Sequence, residues 1–224
     1  TKDWYADARS KIWGNNAPDN VMPSQHGELA EVQHLGLLLH EISQRVPAER
    51  TVLLKPDQVA SHADATPTNL KDLRDEFQND TIQMVLWAPN HYGYLEFDAQ
   101  PPPEQWSEPY PPPRQFEVLF WDSCPGGHVN LRQVAEKLVQ NATTCGVMAP
   151  GHDQCPGSSC PPAWCQTDPW SCGFHAARYA EIRRRQLRGE ALAPALPVQS
   201  YRHHGNELVV KIQKLQAVHK GVAW

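Results

Sequence analysis

CQTDPWSCGFHAARY, residues Cys165 to Tyr179, is the stretch on which the reading of this chain turns. Cys172 stands where irregular, proline-containing sequence gives way to a helical pattern, with Gly173 next in line. A sulfur at a helix N-terminus meets unpaired backbone N–H groups and the positive end of the helix dipole. That environment favours the nucleophilic thiolate. Gln166, upstream of it, carries an amide N–H2 that can bind a developing oxyanion alongside the backbone N–H of Cys172.

A cysteine nucleophile needs a base, and two strand ends upstream offer one. Thr81–Ala88 (TIQMVLWA) is short and apolar, as a buried strand should be. Pro89-Asn90 signals a turn, and His91–Asp98 (HYGYLEFD) follows as the second arm of a hairpin. That arm alternates, with His91, Gly93, Leu95 and Phe97 on one face and Tyr92, Tyr94, Glu96 and Asp98 on the other. Phe116–Trp121 (FEVLFW) is a further strand, running into Asp122-Ser123. His91 thus opens a strand and Asp122 closes one. Histidine titrates near neutral pH and suits general-base work. A carboxylate on its second ring nitrogen fixes the tautomer and steadies the imidazolium.

The remaining elements supply a core. Leu29, Val32, Leu35, Leu39, Ile42 and Val46 recur at steps of three and four, which predicts an amphipathic helix over Glu28–Val46, ended by Pro47. Thr51–Leu54 reads as a short strand. Thr66-Pro67 reads as the N-cap and first-turn proline of a helix to Gln78, with Leu70, Leu73 and Phe77 on its buried face. Asn130 reads as the cap of a helix over Leu131–Ala142, and Thr143–Met148 as another strand. The helix after Cys172 turns Phe174, Ala177, Ala180 and Ile182 inward. Its Arg183, Arg184, Arg185 and Arg188 suit a solvated C-terminal end. Residues 189–200 read as a linker and Asn206–His219 as a last helix. Residues 1–27 are taken as an N-terminal flap, the proline-rich 99–115 as a surface loop, and 149–165 as a cysteine-rich insert.

With 224 residues the chain can form one sizeable domain or two small ones; a single catalytic domain over 1–224 is expected. A net charge of −5 gives no basic field for nucleic acid. No apolar run approaches the ~18 residues of a membrane span, and the polar start has no signal-peptide core. The chain opens at Thr1, which suggests a piece of a longer protein. Six cysteines are present, and a reduced, intracellular thiol enzyme suits them better than a secreted disulfide framework. In the insert, Cys155, Cys160 and Cys165 recur at equal spacing with His152 just upstream and Cys145 further back. A structural zinc, a disulfide and free thiols are all compatible with that spacing; no other cofactor is expected.

In order and local context, HYGYLEFD, FEVLFWDS and QTDPWSCG resemble the cysteine proteases that process SUMO and related ubiquitin-like modifiers, in the clan that includes adenovirus protease. The resemblance spans residues 81–188. It implies an α+β, papain-like cysteine protease fold of the ubiquitin-like protease type, a central mixed sheet flanked by helices. It implies Cys172 as nucleophile, His91 as general base and then acid, Asp122 as orienting carboxylate and Gln166 as oxyanion donor. Tyr92 stands where the family commonly has the Trp that roofs a narrow channel for a Gly-Gly tail, so Tyr92 and Trp170 are the expected substrate-binding aromatics. Ser171 replaces the usual Asp before the cysteine, the proline-rich loop lengthens the His-to-Asp interval, and the cysteine-rich insert has no counterpart.

The implied activity is cleavage after the C-terminal glycine of ubiquitin or a ubiquitin-like modifier. The implied partners are that modifier and its conjugates, with no nucleic acid and no membrane, and the protein itself is expected to be a monomer. The implied location is intracellular, in cytoplasm or nucleus, or a host cell if the protein is a delivered bacterial one. Two alternatives stay open: a clan-related acetyltransferase using the same cysteine, and a degenerate domain that only binds a modifier.

Overall fold

A computed structural model describes residues 22–25, 27–101, 114–124, 127–148, 164–191 and 197–219. In chain order the described elements are α1 (Val32–Arg45), β1 (Thr51–Leu54), α2 (Pro56–His62), α3 (Pro67–Glu76), β2 (Thr81–Ala88), β3 (His91–Ala99), β4 (Phe116–Trp121), α4 (Val129–Thr144), α5 (Cys172–Leu187) and α6 (Val198–His219). They divide into two compact units, one of residues up to Ala48 and from Asp168 onward, the other of Glu49–Thr167.

The Glu49–Thr167 unit is organised by the hairpin. Pro89 and Asn90 link β2 to β3, with Ala88 paired to His91 and Thr81 to Asp98. Proline presets its own φ, and Asn90 takes the left-handed φ of 64° that asparagine tolerates better than most residues. β4 pairs antiparallel with β3, Tyr94 opposite Trp121. β1 lies parallel to β2, giving a mixed four-stranded sheet in the order β1-β2-β3-β4. A parallel pair needs a crossover connection, and α2 and α3 provide it. α3 starts as its sequence predicts, with the Asn69 N–H donating to Thr66 Oγ1 at 3.3 Å ahead of a first-turn proline. α2 is new; at 7 residues it is too short to show a period.

One face of the sheet, with Ile82, Met84, Leu86, Leu95 and Phe97, joins Leu73, Phe77, Leu131 and Leu138 in a continuous apolar core. Phe77 meets Phe97 and Phe116 edge-on, each at 5.0 Å between ring centres. α4 seats against β3 where the strand has no side chain: a Cβ on Gly93 would lie 2.3 Å from Leu131 Cδ2 and 3.0 Å from the Trp121 carbonyl. The alternation predicted for β3 holds, but its second face is also buried. There Gln83 Nε2 donates to Glu96 Oε2 at 3.3 Å, and the Tyr94 hydroxyl donates to the same oxygen.

Two expectations fail at α4. Its N-cap is His128, not Asn130, and Thr143–Met148 is not a strand. Thr143 and Thr144 turn their hydroxyls onto the carbonyls of Val139 and Gln140, at 3.2 and 2.9 Å. β-Branched threonines read as strand, yet the helix continues because Ala142 is carried into the core. The chain then leaves the helix through Gly146, whose φ of 76° suits glycine.

The other unit is helical, α1, α5 and α6 packing on one another. α1 is buried on every face from His34 to His40, and α5 likewise from Cys172 to Ala177. α1 starts at Val32 rather than Glu28. α6 starts at Val198 rather than Asn206, so part of the expected linker is helix. Polar Arg202, His203 and His204 break the apolar stripe there, which hides the helix in the sequence. Gly205 admits the His34 ring, since a Cβ there would lie 2.3 Å from His34 Nε2. Asn206 ties down the segment around Ser24, accepting its N–H at 2.8 Å and donating to its carbonyl at 3.0 Å. Arg184, expected at a solvated helix end, is buried instead, and its Nε donates to the Val46 carbonyl at 2.8 Å. It fills an acceptor that the end of α1 leaves unpaired. Glu181 is held by Arg45 through bonds of 3.1 and 2.8 Å and by Arg185 through bonds of the same lengths.

Most of the expected flap, the middle of the proline-rich loop and residues 149–163 of the cysteine-rich insert lie outside the described residues. The base of the proline-rich loop is closed by the Gln100 N–H on the Gln115 carbonyl at 2.8 Å.

Candidate active site

Asp122 follows the last residue of β4, and its carboxylate is fully buried. Oδ1 lies 2.7 Å from His91 Nε2 and accepts the Cys124 N–H at 2.8 Å; Oδ2 accepts the His128 N–H at 2.7 Å. Burial alone would push this acid up. The bonds from His91, Cys124 and His128 outweigh it and hold Asp122 below the usual carboxylate range. An ionised carboxylate can only accept, so His91 Nε2 carries the proton and Nδ1 carries the basic lone pair. His91 is buried at the start of β3, and the His128 ring stacks on it with centres 4.9 Å apart and planes at 27°. His128 therefore serves Asp122 with its backbone and His91 with its ring.

Ser123, next along, grips Gln166 twice. The Ser123 carbonyl accepts the Gln166 N–H at 2.8 Å, and the Ser123 hydroxyl donates to Gln166 Oε1 at 2.6 Å. Gln166 is thus held beside the end of β4 in the same unit as His91 and Asp122.

Cys172 belongs to the helical unit. It is the first residue of α5, a buried free thiol at the helix mouth. Ser171, in the N-cap position, makes no side-chain cap. The carboxylate at this helix mouth is Asp168, whose Oδ1 accepts the N–H groups of Trp170 at 3.0 Å and Ser171 at 2.7 Å. Burial pushes Asp168 up, but those bonds prevail and its acid lies below the usual range.

Among the sequence candidates, β3 and β4 bring His91, Asp122 and, through Ser123, Gln166 into one unit, while Cys172 heads a helix of the other. Tyr92 is buried, 2% exposed, whereas Trp87, its cross-strand partner, is 45% exposed. Trp170 is half-buried. Of the insert residues, His152, Cys155 and Cys160 lie outside the described residues, and Cys165 is half-buried. Among the described residues no group of three or more His, Cys, Asp or Glu could hold a metal ion.

Three contributors escaped the sequence reading. The spacing of Asp168 before Ser171 is a legible turn signal, since Asp side chains accept backbone N–H groups just downstream. Ser123 was visible only as the residue after Asp122. His128 gave no signal, because only the loop's path brings it back to His91.

Chemically, the parts are an imidazole with an oriented proton, a fixed amide, and a thiol at a helix N-terminus. No family model matches the chain, and no curated protein matches it. Solved structures do. The Xanthomonas campestris effector protein XopD bound to ubiquitin matches with a TM-score of 0.62 at 16% identity, over 88% of this chain and 97% of that one. The SUMO protease Ulp1, with its catalytic cysteine oxidised to a sulfenic acid, matches with a TM-score of 0.56 at 10% identity, over 95% and 93%. The C-terminal Ulp1 protease domain in complex with Smt3, the yeast orthologue of SUMO, gives 0.52 at 10%, over 94% of each chain. No helix among the described residues is long and apolar enough to cross a membrane. In fold, an α+β arrangement with a mixed sheet and packed helices, the chain is similar to XopD and to Ulp1-type protease domains, the group its sequence resembles.

Proposed function

We propose that this protein is a cysteine peptidase that hydrolyses the bond following the C-terminal glycine of ubiquitin or a ubiquitin-like modifier. The observation that carries the reading is the buried His91–Asp122 pair, in which the carboxylate leaves Nδ1 as the basic nitrogen. Nδ1 takes the Cys172 Sγ proton, and the thiolate attacks the glycine carbonyl. Gln166 Nε2 and the Cys172 backbone N–H hold the oxyanion of the tetrahedral intermediate. On its collapse the C–N bond breaks, and the imidazolium gives its proton to the leaving amine. Water, deprotonated by His91, then attacks the thioester; the carboxylic acid departs and the proton returns to sulfur. The protein needs no cofactor for these steps and acts on the modifier and its conjugates as a monomer. Its setting is the interior of a cell, its own or a host's.

The fold likeness to a ubiquitin-bound effector and to a protease bound to Smt3 supports the substrate class. Ubiquitin and SUMO carrying a C-terminal electrophile test it. One of them is expected to form a covalent adduct on Cys172 that Cys172→Ala abolishes. If neither reacts while iodoacetamide alkylates Cys172, the substrate class is wrong.

A further inference from the structure

We infer that Ser123 is a positioning residue that fixes which end of the Gln166 amide faces the reacting carbonyl. The inference rests on the proposed peptidase reading, in which Gln166 is the oxyanion donor. A glutamine amide has one accepting end and one donating end, and an oxyanion is served only by the donating one. Rotated by half a turn, the same side chain would present an oxygen to a developing negative charge and repel it. Ser123 removes that choice. Its hydroxyl donates to Oε1 at 2.6 Å, which pins the accepting end toward Ser123 and turns Nε2 to the opposite side.

The backbone makes the same pair rigid. The Gln166 N–H donates to the Ser123 carbonyl at 2.8 Å, so the Cα of Gln166 cannot drift while the amide is held. Ser123 is fully buried, so water does not compete for its hydroxyl. It also follows Asp122 directly, so the end of β4 sets both the orienter of the base and the orienter of the oxyanion donor. A donor aimed before reaction costs no reorganisation as charge develops, and that is the source of its catalytic effect. A hydroxyl here is therefore expected to act on kcat rather than on substrate affinity.

The test is steady-state cleavage of aminomethylcoumarin from the C-terminus of ubiquitin and of SUMO by the full chain, using whichever is turned over faster. Gln166→Ala is expected to lower kcat by about 10²–10³-fold, the effect of removing one oxyanion donor. Ser123→Ala is expected to lower kcat at least about tenfold with KM nearly unchanged, as for a group acting only in the transition state. Ser123→Thr, which keeps the hydroxyl, is expected to recover most of that loss. In the Gln166→Ala background, Ser123→Ala is expected to have no further effect, since its action passes through the amide. Should Ser123→Ala fail to fold, Ser123→Cys carries the same comparisons with a weaker donor of similar size. A full effect of Ser123→Ala on top of Gln166→Ala, a loss confined to KM, or no loss where Gln166→Ala is severe would overturn the inference alone. No loss in Gln166→Ala itself would instead sink the oxyanion role that it rests on.

Discussion

Nε2 of His91 and Oδ1 of Asp122 lie 2.7 Å apart with both side chains at most 5% exposed, and Asp122 also accepts the backbone N–H groups of Cys124 and His128. Asparagine in place of the aspartate keeps the shape but turns a donor toward one of those partners. If the amide N–H2 faces His91, Nε2 must accept and the ring proton moves to Nδ1, where it blocks deprotonation of the thiol. Asp122→Asn is therefore expected to lower kcat by about 10³–10⁴-fold. Fluorogenic modifier cleavage measures this, with circular dichroism confirming that the variant is folded. A folded variant losing less than tenfold would show that the pair does not set the tautomer.

Acid is expected to weaken the fold in two windows. His34 is fully buried; burial, with the Arg202 charge adding and the Gly205 backbone opposing, lowers its pKa to about 4. The unfolded chain protonates this group below about 6.5. Between pH 6.5 and 4 the unfolded state thus binds more protons, and stability falls as pH falls. A difference of that size is worth about 3 kcal/mol when fully expressed. His62 is lowered by burial as well and adds in the same direction. Asp122 and Asp168 behave as depressed acids: their contribution is complete above the unfolded value of about 3.9 and is lost below it. Urea unfolding at pH 7, 5.5 and 4.2 measures the first window. The drop should shrink in His34→Leu; an unchanged drop would remove His34 as its source.

Two glycines lie where a neighbouring side chain presses directly on the backbone. An alanine at Gly205 would place its methyl 2.3 Å from a ring buried on α1, whereas one at Gly93 meets the end of the Leu131 side chain and a backbone carbonyl at 3.0 Å. Alanine gains about 1 kcal/mol of helix propensity over glycine in α6, but a forced shift in a filled core costs about 1–3 kcal/mol. The ring of His34 is also packed edge-on to Phe174 at 5.7 Å, so it has little room to yield. Gly205→Ala is expected to lower the urea midpoint without changing the m-value. Gly93→Ala is expected to lower both stability and kcat, because the Trp121 carbonyl it presses on immediately precedes Asp122.

The parts of this chain that could be read in the sequence are those whose physics is local. The hairpin from Thr81 to Ala99 declared itself through an apolar run, a Pro-Asn turn and an alternating arm. The Thr66-Pro67 start of α3 came from capping chemistry, and the helix after Cys172 from a change of pattern. The pairing of His91 with Asp122 was suggested by the chemistry of a base and a carboxylate at two strand ends and strengthened by resemblance, since nothing in either segment alone says that the two ends will be neighbours. What stayed hidden is non-local or non-periodic. α2 is shorter than a readable period, and Thr143–Thr144 had strand-like residues overruled by packing of the helix they end. α6 carries Arg202 and paired histidines where an apolar stripe was expected. The clasp of Ser123 on Gln166 and the stacking of His128 on His91 join residues separated by intervening loops, and composition carries no trace of either.

Arg202 offers a last, opposite kind of test, because here the protein holds a group that physics disfavours. The guanidinium sits 4.9 Å above the Phe174 ring and is 6% exposed. None of Nε, Nη1 and Nη2 has a hydrogen-bond partner among the described residues. Burial lowers its pKa, with the charge of Asp168 opposing. A cation–π contact returns about 1–2 kcal/mol, while unmet hydrogen bonds on a buried charge cost more than that. A methionine has a similar reach, keeps contact with the aromatic ring and has no donors to satisfy. Arg202→Met is expected to leave stability unchanged or raise it by about 1–2 kcal/mol, read as an upward shift of the thermal midpoint. Asp168→Asn should move the midpoint down, since it weakens the anchor of the α5 N-terminus and takes away the negative charge of Asp168 that opposes the burial of Arg202. Combining the two should recover part of that loss, because the stranded cation is no longer there. A marked fall in Arg202→Met would mean that the guanidinium is satisfied by a bound anion in the working protein, and phosphate or sulfate titration of the unaltered chain would then raise the midpoint while leaving the variant's unmoved.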